Sequence, residues 1–228
     1  MSTPSAVGAP CIPAAAALLP TTAGTRPLVW SRSRRLALRE FQADDVDDLS
    51  ALHRDARVRA LLIDDVPLQL GRVAALFVER MITRYREYEG LGIWHASILR
   101  PDPTFAGWFS LMPMPGRPGE VEIGSRLLPS AWGAGLAQEG GEMMLDHATD
   151  DLQLSSVWGV CHPGNRSAVA VLLAMGFEPL GMMPYEGRLV SHYRIDLNEW
   201  RGLRNTPRVT RLRRALRSIA AHRAATAS

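Results

Sequence analysis

The 228-residue chain contains no lysine; all 26 of its basic side chains are arginine. A nucleotide-binding loop ending in Gly-Lys-Ser/Thr is therefore excluded, because nothing can supply its phosphate-reaching ammonium. Cysteine is nearly as scarce. Cys11 and Cys161 lie far apart without CxxC or CxxH spacing, so neither a disulfide framework nor a zinc site is expected, and no metal is. No apolar run approaches the ~18–20 residues that would span a bilayer. The apolar stretch 12–20 has no basic residue before it and carries Pro13 and Pro20 at its ends, which makes a poor secretory signal. A cytoplasmic protein is expected. No internal repeat at solenoid or propeller spacing is present.

What remains is ordinary for a soluble globular chain: 46% hydrophobic and 21% charged residues, enough to bury one substantial core. The charge is unevenly placed. Four arginines precede residue 36 and eight follow Trp200, whereas residues 36–200 hold all 23 acids against 14 arginines, a net charge of −9. The isoelectric point of 9.3 thus describes the ends. An acidic body attracts a cationic amine and disfavours nucleic acid; a negative surface that merely aids solubility is the alternative.

Three segments follow from patterning. Residues 1–34 read as a disordered leader, with Ala, Pro, Thr, Ser and Gly dominating its first 27 positions. Residues 35–200 form the domain, with elements in the order β-α-α-β-β-β-α-β-α-β-β. Alternation marks a strand at 35–39, and Asp44 offers a helix cap before Val46, Leu49, Leu52 and Ala56. A second helix covers 71–88, with Val73, Phe77, Met81, Tyr85 and Tyr88 on one face. Strands follow at 93–99, 104–111 and 120–128, a helix at 138–150, a strand at 155–161, a short helix at 167–175 and a closing strand at 189–197. The expected fold class is α+β: a mixed sheet of about seven strands flanked by helices, not the strict alternation of a doubly wound fold. Residues 201–228 read as an Arg-rich amphipathic tail with Thr206 and Pro207 at its start. It either lies on its own domain or offers a surface to a membrane or polyanion.

The chemistry concentrates after the 120–128 strand. There the chain runs through Trp132, Gly133, Ala134, Gly135, Leu136, Ala137, Gln138 and Glu139 directly into a helix. A helix start leaves backbone N–H groups without intrahelical partners and adds positive potential, and small residues let a phosphate approach them. The third glycine of a dinucleotide fingerprint is missing. Thirty residues beyond Gly135 stands Asn165, followed by a short apolar helix and Gly176-Phe177. A turn-forming asparagine beside Pro163-Gly164 is the plain reading of that residue.

Over residues 35–197 these motifs resemble the GNAT acetyltransferases, in particular the Rim-type branch that acetylates ribosomal-protein N-termini. The run Trp132-Gly-Ala-Gly-Leu-Ala-Gln-Glu139 matches that branch's Trp-Gly-x-Gly-x-Ala-x-Glu pyrophosphate loop. The resemblance implies a mostly antiparallel sheet in a three-layer α/β/α arrangement and acetyl-CoA as cosubstrate, with Trp132, Gly133, Ala134, Gly135, Leu136 and Ala137 on its pyrophosphate and Asn165 closing the site. It also implies that the 120–128 strand splays from its neighbour and pairs with the pantetheine arm, which nominates the backbone of Leu127 and Leu128. The acceptor is then a primary amine, on a protein N-terminus or a small molecule, attacking the thioester directly in a ternary complex.

Such an attack needs a proton acceptor and help for the leaving thiolate. Glu122 is the candidate base, although alternation places Glu120 and Glu122 on one face that could simply meet solvent. His95 and His162 are the rival bases. The short helix has Leu172 where many members of the family carry a tyrosine acid. Ala168 occupies the position at which the Rim branch often has serine, and Ser167 is one residue earlier. Ser167 is the candidate acid, with Tyr185 or a water as alternatives; Ser125 replaces an aromatic of that branch, so acceptor specificity does not carry over. Two other functions stay open: an inactive coenzyme-binding module, and an interaction protein using its Arg-rich ends.

Overall fold

The computed structural model describes residues 30–226. The leader expectation for residues 1–29 lies outside the described residues.

Eight strands form a single sheet in the order β1-β2-β3-β4-β5-β6-β8-β7. They are β1 Ser31–Arg32, β2 Leu36–Glu40, β3 Gly92–Ile98, β4 Thr104–Pro113, β5 Val121–Leu127, β6 Ser156–Cys161, β7 Glu178–Tyr185 and β8 Arg188–Asp196. All neighbours are antiparallel except β5 and β6. The helices are α1 Val46–Arg54, α2 Ala56–Arg59, α3 Gly71–Glu87, α4 Leu136–Asp150, α5 Arg166–Met175, α6 Leu197–Leu203 and α7 Arg208–Thr226. One strand more than expected arises from β1, which lies inside the segment read as leader. Trp30 stacks on Trp94 with ring centroids 4.5 Å apart, so an aromatic contact draws the chain onto the sheet before residue 35.

Helices cover both faces. Leu49, Leu52, Ala74, Val78, Met81 and Tyr85 pack α1 and α3 with Ile93 and Trp108 on one side. The buried line of α3 is Ala74, Val78, Met81 and Tyr85, so the expected Val73 and Phe77 flank the contact rather than centre it. On the other side α4 and α5 bury Leu136, Met144, Leu145, Leu172 and Leu173 against Phe109, Val157 and Phe177. Helix α4 comes very close to β4: a Cβ on Gly140 would stand 2.1 Å from Phe109 Cζ. This explains the small residue in mid-helix despite its cost in propensity.

The Arg-rich end docks on its own domain. Arg211 of α7 is buried and donates to the carbonyls of Ala174, Leu203 and Arg204, and it is ion-paired with Glu142. Arg204 bonds Asp150 at 2.5 Å and Arg214 bonds Glu199 at 3.0 Å. Acids of α4 and α6 thus take up part of the basic charge that the sequence concentrates after Trp200. No helix among the described residues is long and apolar enough to cross a membrane.

Candidate active site

The parallel pair organises the site. Strands β5 and β6 are registered only at Glu122↔Trp158 and Ile123↔Gly159, while β5 remains paired with β4 down to Leu127. From Gly124 onward the two parallel strands therefore diverge. Leu128 N–H donates to Ala106 O at 2.8 Å, which makes Gly107↔Leu127 a non-hydrogen-bonded pair. By alternation, the backbone N–H and C=O groups of Ser125 and Leu127 point away from β4 and into the opening. Trp132 Nε1 donates to Leu127 O at 2.9 Å, leaving Leu127 N–H and the Ser125 backbone facing the slot. Leu128 differs from Leu127: its N–H serves Ala106, and its C=O, which also accepts from Ala131 N at 2.9 Å, is the part of its backbone left to a ligand.

Both parallel strands end at the same edge of the sheet, where ligands of open sheets commonly bind. Beyond β5, a 3-10 turn at Pro129–Ala131 leads through Trp132, Gly133 and Ala134 to Gly135, the N-cap of α4. Gly133 and Gly135 have φ of +75° and +77°, which favours glycine at both positions. No atom lies within 4 Å of a Cβ built on Gly133, and only Arg35 Nη2, at 3.7 Å, approaches one on Gly135. The helix start, with Leu136 and Ala137 as its first residues, is thus open to an anion the size of a phosphate.

A latch absent from the motif reading holds this loop. Glu139 Oε1 accepts from Ser33 Oγ at 2.6 Å and from Arg35 N at 3.0 Å, and Oε2 accepts from Arg35 Nε at 2.7 Å. Arg35 Nη1 also donates to Ala134 O at 2.7 Å. Burial pushes the Glu139 carboxyl up, but these donors outweigh it and hold the group below the usual carboxylate range. The sequence shows Glu139 in the loop motif and an arginine cluster near residue 35; their meeting 104 positions apart depends on β2 running beneath α4.

Beyond β6, Asn165 caps α5 with its Oδ1 accepting from Ala168 N at 3.1 Å. Among the described residues its amide nitrogen has no acceptor. The turn-forming reading is therefore correct for its oxygen, while its donors remain available. Ser167 is exposed at the second residue of α5. His162 closes the same turn, its Nδ1 accepting from Gly164 N at 3.0 Å, which gives the ring a structural task.

At the start of β5, Glu122 does not face solvent freely. It is half-buried, registered beside Trp158 and Met112, and capped by Tyr185, whose hydroxyl donates to Oε1 at 2.8 Å and Oε2 at 2.9 Å. Burial pushes its carboxyl up to about 7; the Tyr185 bond pulls the other way and Glu186 adds repulsion. Glu120 on the same face is also engaged, accepting from Trp158 Nε1. Tyr185 comes from β7, and its phenol is pushed up by burial and by Glu122.

His95 is buried on β3 with Nε2 3.1 Å from Asp48 and Phe41 and Phe105 against its ring. Burial pushes it down, towards the neutral form. Asp45, Asp48 and His95 place donor atoms within 4.8 Å of one another, as a metal site would. Both oxygens of Asp45 are already bonded to Arg39 at 2.6 Å, so a guanidinium neutralises that carboxylate and a dication there would meet a competing charge.

A family model described as the acetyltransferase (GNAT) domain matches residues 35–178, and the chain belongs to that family. It is 32% identical over 94 residues to the FsC-acetyl coenzyme A-N(2)-transacetylase of Aspergillus fumigatus, covering 38% of this chain and 39% of that relative. Among solved structures it resembles RimL, a ribosomal L7/L12 alpha-N-protein acetyltransferase in complex with coenzyme A. That match has a TM-score of 0.62 and 19% identity, over 74% of this chain and 97% of that one. RimJ of Mycobacterium smegmatis gives 0.60 and 18%, over 79% and 88%. At these identities the structural likeness speaks for the fold.

Proposed function

We propose that the protein transfers an acetyl group from acetyl-CoA to a primary amine, with Glu122 accepting the ammonium proton. The carrying observation is that a single strand, β5, joins a half-buried carboxyl at its start to an open backbone edge and a glycine-built anion loop at its end. The bound cosubstrate supplies an activated acyl thioester. Gly133, Ala134, Gly135, Leu136 and Ala137 offer space and N–H groups to its pyrophosphate, with Trp132 flanking them. Leu127 and Ser125 offer backbone groups to its arm, and Asn165 offers its amide donors.

The amine reaches the splay next to Glu122. An α-amino group titrates near 8, so freeing its lone pair at pH 7 costs only about 1.4 kcal/mol. A carboxyl held near 7 is matched to that proton. Ser167, exposed at the start of α5, is the residue we assign to protonating the leaving thiolate. The Trp-Gly-x-Gly-x-Ala-x-Glu run supports a Rim-type relationship and a peptide N-terminus as the first acceptor to try. The ion pairs of Arg204, Arg211 and Arg214 within the domain speak against the arginine-rich end as a polyanion-binding device.

Calorimetric titration with acetyl-CoA tests the reading, alongside Gly135→Glu. Micromolar binding that the variant abolishes is expected; no binding by the unaltered protein overturns the proposal. Thiol release with an alanine-headed peptide, spermidine and an aminoglycoside then sorts the acceptors.

A further inference from the structure

The β7–β8 hairpin reaches over the base, and its tip is built to hold one side chain still. Tyr185 and Arg188 pair across a two-residue turn, and both turn residues are left-handed, Glu186 at φ +45° and Gly187 at φ +79°. Positive φ at both central positions belongs to the turn whose twist matches the flanking strands. Arg188 is ion-paired with Asp65 in the segment between α2 and α3, which ties the tip to the opposite wall. Arg126 of β5 is ion-paired with Asp64 next to it. Met114, Trp158, Met183 and Val190 bury the ring of Tyr185.

A phenylalanine would satisfy that packing. The hydroxyl is different: its single proton is shared between the two oxygens of Glu122, at 2.8 and 2.9 Å. We propose that Tyr185 is the positioning residue for Glu122, fixing the carboxylate at the mouth of the splay and favouring its ionised, proton-accepting form. This inference rests on the reading of Glu122 as the base. When the amine gives up its proton, one Glu122 oxygen gains it and the phenol keeps its bond to the other. Around the pair, Arg117 and Arg194 lie over the Trp158 ring at 4.5 and 5.9 Å from its centroid, and His192 stacks on it. Glu186 repels the carboxylate, Glu120 is engaged by Trp158, and Asp64 and Asp65 are neutralised by Arg126 and Arg188. Among the described residues, Tyr185 is the group that hydrogen-bonds the Glu122 carboxylate directly.

The test is a carbon-13 NMR titration of protein labelled at both glutamate Cδ and tyrosine Cζ, with the Glu122 Cδ signal assigned from Glu122→Gln. A midpoint near 7 is expected in the unaltered protein, and Tyr185→Phe moves it upward by about one pH unit, the worth of a hydrogen bond to a charged group. In the unaltered protein the Tyr185 Cζ signal follows the Glu122 midpoint, which tests the pair even if the variant fails to fold. A purely structural role moves neither signal. If Glu122 titrates near the ordinary 4.5, the base reading fails and the proposal with it. If it titrates near 7 but Tyr185→Phe leaves the midpoint unmoved, or Tyr185 Cζ does not follow it, only the assignment of Tyr185 fails.

Discussion

Glu122→Gln makes the protein more stable, and increasingly so as pH rises. The folded carboxyl is held at about 7 against an ordinary 4.5, mainly by burial. Its folded value lies above its unfolded one, so its contribution is most favourable below 4.5 and is lost as pH climbs to about 7. Integrated over that window, the penalty at alkaline pH is ~3 kcal/mol, most of it accruing above pH 5. Glu122 keeps some solvent contact, so ~2 kcal/mol is the fairer figure for the difference between pH 5 and pH 8. Glutamine carries no charge to desolvate, and its amide oxygen still accepts from Tyr185. In a chain of this size ~2 kcal/mol corresponds to about 5 °C. Thermal melts of both proteins at pH 5 and pH 8, followed by circular dichroism, should show a gap that widens by that amount. A gap that is constant or narrows with pH refutes the reasoning. On the proposed role of Glu122 as base, the same variant is expected to lose acetyl transfer in the thiol-release assay, a trade of stability for activity.

Arg35→Ala removes the guanidinium's bonds to Glu139 and to Ala134 O while leaving that of Ser33 Oγ; about tenfold weaker acetyl-CoA binding is expected by calorimetry, with little change in melting temperature. Equal affinity would show that the loop holds its shape without the latch. Arg211→Ala strips partners from Ala174, Leu203 and Arg204 carbonyls and from Glu142 in a buried place, and should cost about 3 kcal/mol. Hydrogen exchange in α7 and α5 should accelerate together; faster exchange in α7 alone would mean that the helix end docks independently of the core.

Much of the site was legible along the chain because it is local. A helix start after small residues exposes N–H groups whatever the rest of the fold does, so Gly133, Ala134, Gly135 and Ala137 could be nominated from order, while Trp132 and Leu136 came with the family resemblance. Asn165 could be read from its neighbours as a turn former, and its nomination as a site residue came with the family resemblance. The strands and helices were legible where periodicity was strong, and less so at the ends: β1 depends on Trp30 finding Trp94, a contact across 64 positions.

The sequence by itself determined the mixed sheet flanked by helices, the small-residue turn at a helix start and the acidic body, because each is read from residue type and spacing along the chain. Only the tertiary structure decided the roles that need two distant elements. Alternation along β5 put Glu120 and Glu122 on one face but could not say what covers it; the hairpin brings Tyr185 there from 63 residues away and turns a surface glutamate into a half-buried one. It also separated Leu127 from Leu128, since which backbone groups face the slot depends on the register with β4. Glu139 found its partners only when β2 passed under α4. A carboxyl's environment is set by its neighbours in space, and burial and register are properties of the packed chain.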